Sequence, residues 1–243
     1  MAHFYLAPEL ADTAVGATVV LSGSEGRHAA TVSRVRVGES LRIGNGRGLV
    51  VVAEVVATTK DTVDLSVREV TIAEPLVPAI TLVQALAKTD RDERAIEAAT
   101  ELGISAVMPW AADRSVSKWE GPKVAKGHIR WSSIVHEATK QSIRPFIPEV
   151  RALSTTKAAI SALHHAQIIV LDPTGEISLS DVELNAECEI ALVVGPEGGI
   201  TPGELDAFRA AGATIATLGS NILRTSTAGP AALAVLGAKL GRW

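Results

Sequence analysis

The chain has 243 residues, a formal net charge of −4, 47% hydrophobic and 21% charged residues, and one cysteine. Such a composition buries the core of one large domain or two modest ones. It excludes a disulfide framework and a cysteine-based zinc site. It also leaves any nucleic-acid binding to a local patch. Aromatic residues are only 3%, so the core must be built from Ala, Val, Ile and Leu. The histidines show no HxH or HxxxH spacing, and no metal is expected. No segment approaches the ~20 uninterrupted apolar residues of a membrane span. The start MAHFYLAPEL lacks the basic and long apolar stretches of a signal peptide, so a cytoplasmic setting is the expectation.

Residues 16–72 read as short strands: VVLSG (19–23), SLRIGNGRG (40–48), GLVVVAEVVAT (48–58) and TVDLSVREV (62–70). Gly44-Asn45-Gly46 is a hairpin signal. SEGRHAATVSRV reads as one helix with Ser24 as its N-cap. AEPLVP (73–78) carries two prolines and reads as a linker. The expected division is therefore a small β-barrel module over 1–73 and a second domain over 79–243.

After the linker the pattern changes. ITLVQALA (80–87) is a continuous apolar run, as a buried parallel strand requires. A helix (90–103), the strand ISAVMPW, a helix (128–142) and a helix near 155–165 follow. Then come QIIVLD (167–172), EIALVVG (189–195), a helix from about Pro202 to Ala211, TIATLG (214–219) and a terminal helix within 226–240. The alternation predicts an α/β domain with a mainly parallel sheet.

Three loops follow strands: LDPTG (171–175), GPEGGI (195–200) and LGSNILRTSTAG (218–229). Ligands of open parallel sheets bind beyond the carboxyl ends of strands, which predicts a pocket there. The chain has neither GxxxxGK[ST] nor GxGxxG. A phosphate cradle wants bare backbone N–H groups and usually a cation, and Glu197 would repel phosphate. A phosphate-free ligand with a positive centre fits better, and S-adenosylmethionine is one. Read alone, GPEGG is a tight structural turn. LGSNILRTSTAGPAAL shifts that reading, because Gly219, Ser220 and Asn221 break any helix, and Thr225, Ser226 and Thr227 can cap the small-residue helix that follows. The same small-residue helix suits a dimer or domain interface.

VVGPEGGIT…E together with LG-x-x-ILRT-x-TA resembles the signature of the SPOUT superfamily of knotted methyltransferases. More narrowly, the chain resembles the ribosomal RNA small-subunit methyltransferase E family, which methylates N3 of a uridine in 16S rRNA. The resemblance spans nearly the whole chain. GRHAATVSRVRVGE is similar to a stretch of that family's PUA-like RNA-binding domain. KTDRDERAIEAATELGISAVMP, DRSVSKW and HEATKQSIRPFIPEV resemble segments of its catalytic domain. Ser220, Asn221 and Ser226 depart from the usual motif, which puts in question any acid role at position 226.

The resemblance implies a C-terminal trefoil knot, which ordinary chain-topology rules would never propose. It implies a homodimer, and S-adenosylmethionine wrapped by the three loops. Carried onto this chain, cofactor binding falls to Leu171, Asp172, Thr174, Leu192, Gly195, Pro196, Glu197, Gly198, Gly199, Leu218, Gly219, Ile222, Leu223, Arg224 and Thr225. Arg224 and Arg114 are candidates to stabilise negative charge on the uracil ring, and proton acceptance falls to Glu197, to water, or to no protein group.

An RNA surface is read from charge. Between Arg114 and Arg151 stand eight basic and three acidic residues, in a protein that is acidic overall. Arg114, Lys118, Lys140, Gln141 and Arg144 are the expected contacts, with Trp119 and Trp131 as stacking candidates. Arg27, His28, Arg34 and Arg36 form a smaller cluster in the first domain. Three other readings remain: a knotted methyltransferase acting on tRNA or 23S rRNA, a non-catalytic RNA-binding assembly factor, and a structural α/β oligomer.

Overall fold

The computed structural model describes residues 4–242; residues 1–3 and 243 lie outside the description. The chain divides into two compact units. One is Met1–Pro75 with Thr139–Ile147, and the other is Leu76–Ala138 with Pro148–Trp243.

The first unit is built on a five-stranded sheet. Its strands are β1 (Phe4–Leu6), β2 (Thr18–Leu21), β3 (Ser40–Gly44), β4 (Leu49–Thr58) and β5 (Val63–Ile72), in the order β1-β3-β4-β5-β2. β4 alternates buried with half-buried residues over most of its length, so Leu49, Val51, Ala53 and Val55 enter one apolar core with Leu21, Leu41 and Leu65. The hairpin signal holds: β3 and β4 are antiparallel, and Asn45 Oδ1 accepts from the N–H groups of Arg47 (2.8 Å) and Leu49 (3.2 Å). The expected single helix does not form. A short helix α1 (Gly23–Arg27), with Ser22 rather than Ser24 at its N-cap, runs into a π-helical turn over His28–Ser33. Arg34, in the left-handed region at φ 53°, ends that turn.

The returning segment Thr139–Ile147 joins this unit through backbone rather than side-chain chemistry. The N–H of Gly48 donates to the Pro145 carbonyl and that of Ile147 to the Gly46 carbonyl, both at 3.0 Å. A Cβ on Gly48 would stand 2.8 Å from the Phe146 ring, and one on Gly46 would stand 2.5 Å from Ile147. A single cut at the proline linker misses this return, because nothing in linear order marks the two glycines as a seat.

The second unit carries a seven-stranded sheet. β6 (Ile80–Ala85), β7 (Ala106–Trp110), β8 (Glu149–Val150), β9 (Gln167–Leu171), β10 (Ile177–Ser178), β11 (Ile190–Val194) and β12 (Thr214–Thr217) lie in the order β10-β12-β9-β11-β6-β7-β8. Every neighbouring pair is parallel. β6 and β11 are buried at every position, as central strands covered on both faces must be.

The helices are α2 (Arg91–Glu101), α3 (Pro122–Gln141), α4 (Thr156–Ala162), α5 (Pro202–Ala210) and α6 (Thr225–Lys239). α3 starts six residues before the expected point, with Pro122 at its first position, where a missing N–H is harmless. α5 opens with a capping box in which Thr201 and Glu204 serve each other's backbone. β1, β8 and β10 have only two or three residues, too short for a periodic signal. Among the described residues no helix is long and apolar enough to cross a membrane.

Candidate functional site

β9, β11 and β12 are adjacent in the sheet, so the loops leaving their carboxyl ends meet at one edge. There they line a cavity of about 630 Å³, within the size range of small-molecule sites. All three loops expected from the sequence contribute to the lining. Leu171 and Asp172 come from the first loop; Gly195, Pro196, Glu197 and Gly199 from the second; and Leu218, Gly219, Ile222, Leu223, Arg224 and Thr225 from the third.

The first loop is fixed by Asp172. Its Oδ1 accepts from the Thr174 N–H (2.9 Å) and the Thr174 hydroxyl (2.6 Å), which makes a local side-chain turn. Thr174 thereby spends its polar groups on the loop and lies outside the lining.

The second loop is held from several sides. The Gly199 N–H donates to the Pro196 carbonyl at 2.9 Å, and Gly199 takes φ +74°, which favours glycine. A Cβ on Gly195 would stand 2.6 Å from Ile200. Thr225 Oγ1 donates to the Gly195 carbonyl (2.9 Å) and accepts from Gln84 Nε2 (2.8 Å), tying the loop to α6 and to β6. Arg114 Nη1 donates to the Gly198 carbonyl at 3.1 Å, and Gly198 rests against the Arg114 stem. Arg114 and Gly198 therefore lie behind the wall and do not line the cavity. Leu192 is fully buried in mid-strand between Leu82 and Ile169 and also lies outside the lining. Its cofactor contact is corrected: the residue belongs to the sheet core.

Glu197 is not the free acid that its position suggested. Its Oε1 accepts from Arg91 Nη1 at 2.9 Å and from the Lys88 N–H at 3.1 Å. Partial burial would raise this carboxyl. The N–H groups of Glu197 itself and Lys88, with the Arg91 guanidinium, outweigh that and hold it below the usual carboxylate range. Arg91 lines the cavity too. It is missing from the sequence-predicted set, although it sits just beyond β6, at the same carboxyl edge of the sheet that singled out the three loops.

The third loop is different in kind. Leu218–Leu223 make no side-chain hydrogen bond among the described residues, and Ile222 is 84% exposed. Arg224 is exposed, lines the cavity and has no side-chain partner among the described residues. The expected caps of α6 are corrected: Arg224 holds the N-cap position with no side-chain cap, and Thr225, inside the helix, bonds to Gly195 instead.

Behind these walls lie two buried acids. Glu204 accepts from the Asp113 N–H, the Thr156 hydroxyl, and the N–H and hydroxyl of Thr201, so one carboxylate joins α4, α5 and the loop after β7. Asp92, in the first turn of α2, accepts from the N–H groups of Ala87 and Glu93. Burial pushes Asp92 up to about 6.

The expected basic surface shrinks once partners are counted. Lys140 pairs with Glu25 at 2.8 Å, with both side chains nearly buried, and desolvation of the half-buried Arg144 lowers its pKa to about 10. Both lie inside the first unit, where the Lys140 ammonium is already paired. Arg130 pairs with Glu93, and Arg151 with Glu149 and Glu189. Trp131 is buried, with Trp119 edge-on to it at 5.3 Å, so Trp131 cannot stack a base. Lys118, Lys123 and Lys126 stay exposed without a carboxylate partner among the described residues, and Gln141 is exposed at the end of α3. In the first unit Arg27 pairs with Asp61 and His28 lies edge-on to Tyr5, while Arg34 and Arg36 are exposed.

The set suits a small ligand that is part apolar and part charged. Leu171, Val194, Leu218 and Leu223 offer apolar surface for a flat ring, Arg91 and Arg224 offer positive charge, and Asp172 and Glu197 offer negative charge.

Comparison with known proteins agrees in kind. Residues 74–237 match the family model described as RNA methyltransferase domain, and residues 21–68 match the one described as RNA methyltransferase PUA domain. A ribosomal RNA small subunit methyltransferase E of Mycobacterium bovis is 39% identical over 248 aligned residues, covering 100% of this chain and 94% of that protein. That of Bacillus subtilis is 30% identical over 220 residues, covering 87% of this chain and 86% of that protein. The crystal structure of a ribosomal RNA small subunit methyltransferase E from Neisseria gonorrhoeae, bound to S-adenosyl methionine, is 30% identical with a TM-score of 0.87, covering 98% of each chain.

Proposed function

This chain belongs to the ribosomal RNA small subunit methyltransferase E family, and on that premise we propose that it methylates N3 of a uridine in 16S rRNA, with S-adenosylmethionine as donor. The observation that carries the reading is the cavity at the carboxyl edge of the parallel sheet. It joins a glycine-rich wall held by several hydrogen bonds, apolar surface, and an arginine with no side-chain partner among the described residues.

Leu171, Gly195, Leu218, Ile222 and Leu223 would hold the adenosine part through apolar and backbone contacts. When bound, the cofactor supplies an electrophilic methyl group on a sulfonium. The target base must leave its stack to reach it. As the methyl arrives, the N3–H proton leaves and negative charge grows on O2 and O4. Arg224, without a side-chain partner among the described residues, would stabilise that charge. Arg114 is the second candidate; its Nη1 donates to the Gly198 carbonyl, and the other N–H groups of its guanidinium would serve the same charge. Glu197 is held by two donors through one oxygen and is kept below the usual carboxylate range, which makes it a weak base and favours water, or no protein group, as the proton acceptor.

The same reading assigns residues 1–73 to gripping RNA beside the target, through Arg34 and Arg36. On the catalytic unit it assigns contacts to Lys118. It includes a barrel-like first domain, a C-terminal knot, a homodimer and action in the cytoplasm. For the knot, the supporting observation is the return of the chain after β12, two strands away from β11, to start α6 with Thr225 bonded to the Gly195 carbonyl at the end of β11.

Mass-spectrometric mapping of modified uridines in rRNA from cells with and without this protein tests the proposal. Loss of one N3-methyluridine from 16S rRNA is expected. An unchanged 16S pattern with a lost methyl group in tRNA or 23S rRNA would move the enzyme to another substrate.

A further inference from the structure

We propose that the Arg91–Glu197 ion pair is the subsite for the amino-acid end of S-adenosylmethionine, with Arg91 taking the carboxylate and Glu197 the ammonium. The inference rests on the cofactor reading above and assigns one part of that cavity.

Four observations lead to it. First, both residues line the cavity and come from neighbouring strands: Arg91 follows β6, Glu197 follows β11, and those strands pair directly. Second, the pair is tight but open. The atoms are 2.9 Å apart, and the side chains keep 34% and 23% exposure. A pair that open adds little to stability. Exchanging its partners for a ligand's charges therefore costs little.

Third, Glu197 has a second tether, the Lys88 N–H at 3.1 Å. It stays in place when Arg91 turns toward a carboxylate. Fourth, the other charged lining groups cannot offer the same thing. Asp172 spends Oδ1 on Thr174, and Arg224 has no acid beside it. The amino-acid end of the cofactor is a zwitterion whose two charges are held close together. Its complement is a cation and an anion held equally close. Among the residues lining this cavity, only Arg91 and Glu197 supply that, and in the empty cavity each satisfies the other.

Calorimetric titration separates this from a purely architectural role. The probes are S-adenosylmethionine, its decarboxylated form, and 5′-methylthioadenosine, which lacks the amino-acid end. Wild-type protein is expected to bind the decarboxylated form about tenfold more weakly than the complete cofactor. Arg91→Ala is expected to weaken the complete cofactor by a similar factor and to leave the decarboxylated form and 5′-methylthioadenosine within about twofold. Binding of 5′-methylthioadenosine by the variant also reports that the cavity has folded.

Equal weakening of all three probes would overturn the proposal and leave the pair as a brace for the wall. So would wild-type protein that binds the decarboxylated form as tightly as the complete one, a test that needs no variant. If wild-type protein binds none of the probes, the cofactor reading itself fails, which is a different result from either of these.

Discussion

Two walls of one cavity are built on opposite principles. The Gly195–Ile200 wall is held by α6 through Thr225, by the loop after β7 through Arg114, by α2 through Arg91, and by the loop before α2 through the Lys88 N–H. The Leu218–Arg224 wall makes no side-chain hydrogen bonds among the described residues and leaves Ile222 84% exposed. A wall fixed in advance can hold a ligand's charges without being ordered at the moment of binding. A wall with no internal bonds can move to admit a cofactor and a base. The difference teaches that the cavity is pre-organised on one side and adaptive on the other.

The contrast can be broken most severely from beneath the fixed wall. Glu204→Ala removes a buried carboxylate that accepts four hydrogen bonds, two of them from Thr201 at the foot of that wall. The loss is expected to cost about 3 kcal/mol or more and to lower the melting temperature by roughly 6–12 °C, measured by calorimetry. Arg224→Ala touches only the adaptive side. It is expected to leave the melting temperature and cofactor affinity nearly unchanged and to cut turnover by about a hundredfold. Single-turnover kinetics with saturating cofactor check this; near-normal turnover would remove Arg224 from the chemistry.

A smaller effect is expected from Asp92, which supports the loop that holds Glu197. Its folded value of about 6 lies above the unfolded 3.8. The folded state therefore binds the proton more tightly. The corresponding stability is fully present below about pH 4 and is lost as pH rises through about 6. Its size is on the order of 2 kcal/mol. Denaturant titrations should show wild-type stability falling by that amount, relative to Asp92→Asn, between pH 4 and pH 7. Parallel profiles would remove Asp92 from the account. Ile222→Ser should do least, shifting stability by no more than about 0.5 kcal/mol, because the side chain packs on nothing fixed.

Much of this was legible in linear order. The alternation of apolar runs and helices located the parallel sheet, and its glycine-bearing loops located the cavity. What escaped depends on who lies beside whom. Lys140 and Arg144 look like surface cations in sequence, yet one pairs with Glu25, more than a hundred positions away, and the other is half-buried. Leu192 looked like part of a ligand loop because it precedes one by three residues, but a strand's middle is covered on both faces. Glu197 read as a bare acid because Arg91, its partner, lies 106 positions away. Thr225 read as a cap, and only the return of the chain to β11 shows it bonding to Gly195.

The central claim is that a fixed wall and an adaptive wall together enclose S-adenosylmethionine. Amide hydrogen exchange of the wild-type protein, with and without saturating S-adenosylmethionine, tests it most directly. The account predicts slow exchange at Gly195–Ile200 in both states, and a large gain of protection at Leu218–Arg224 only with the cofactor. Equal change in both loops, or no change in either, would contradict it.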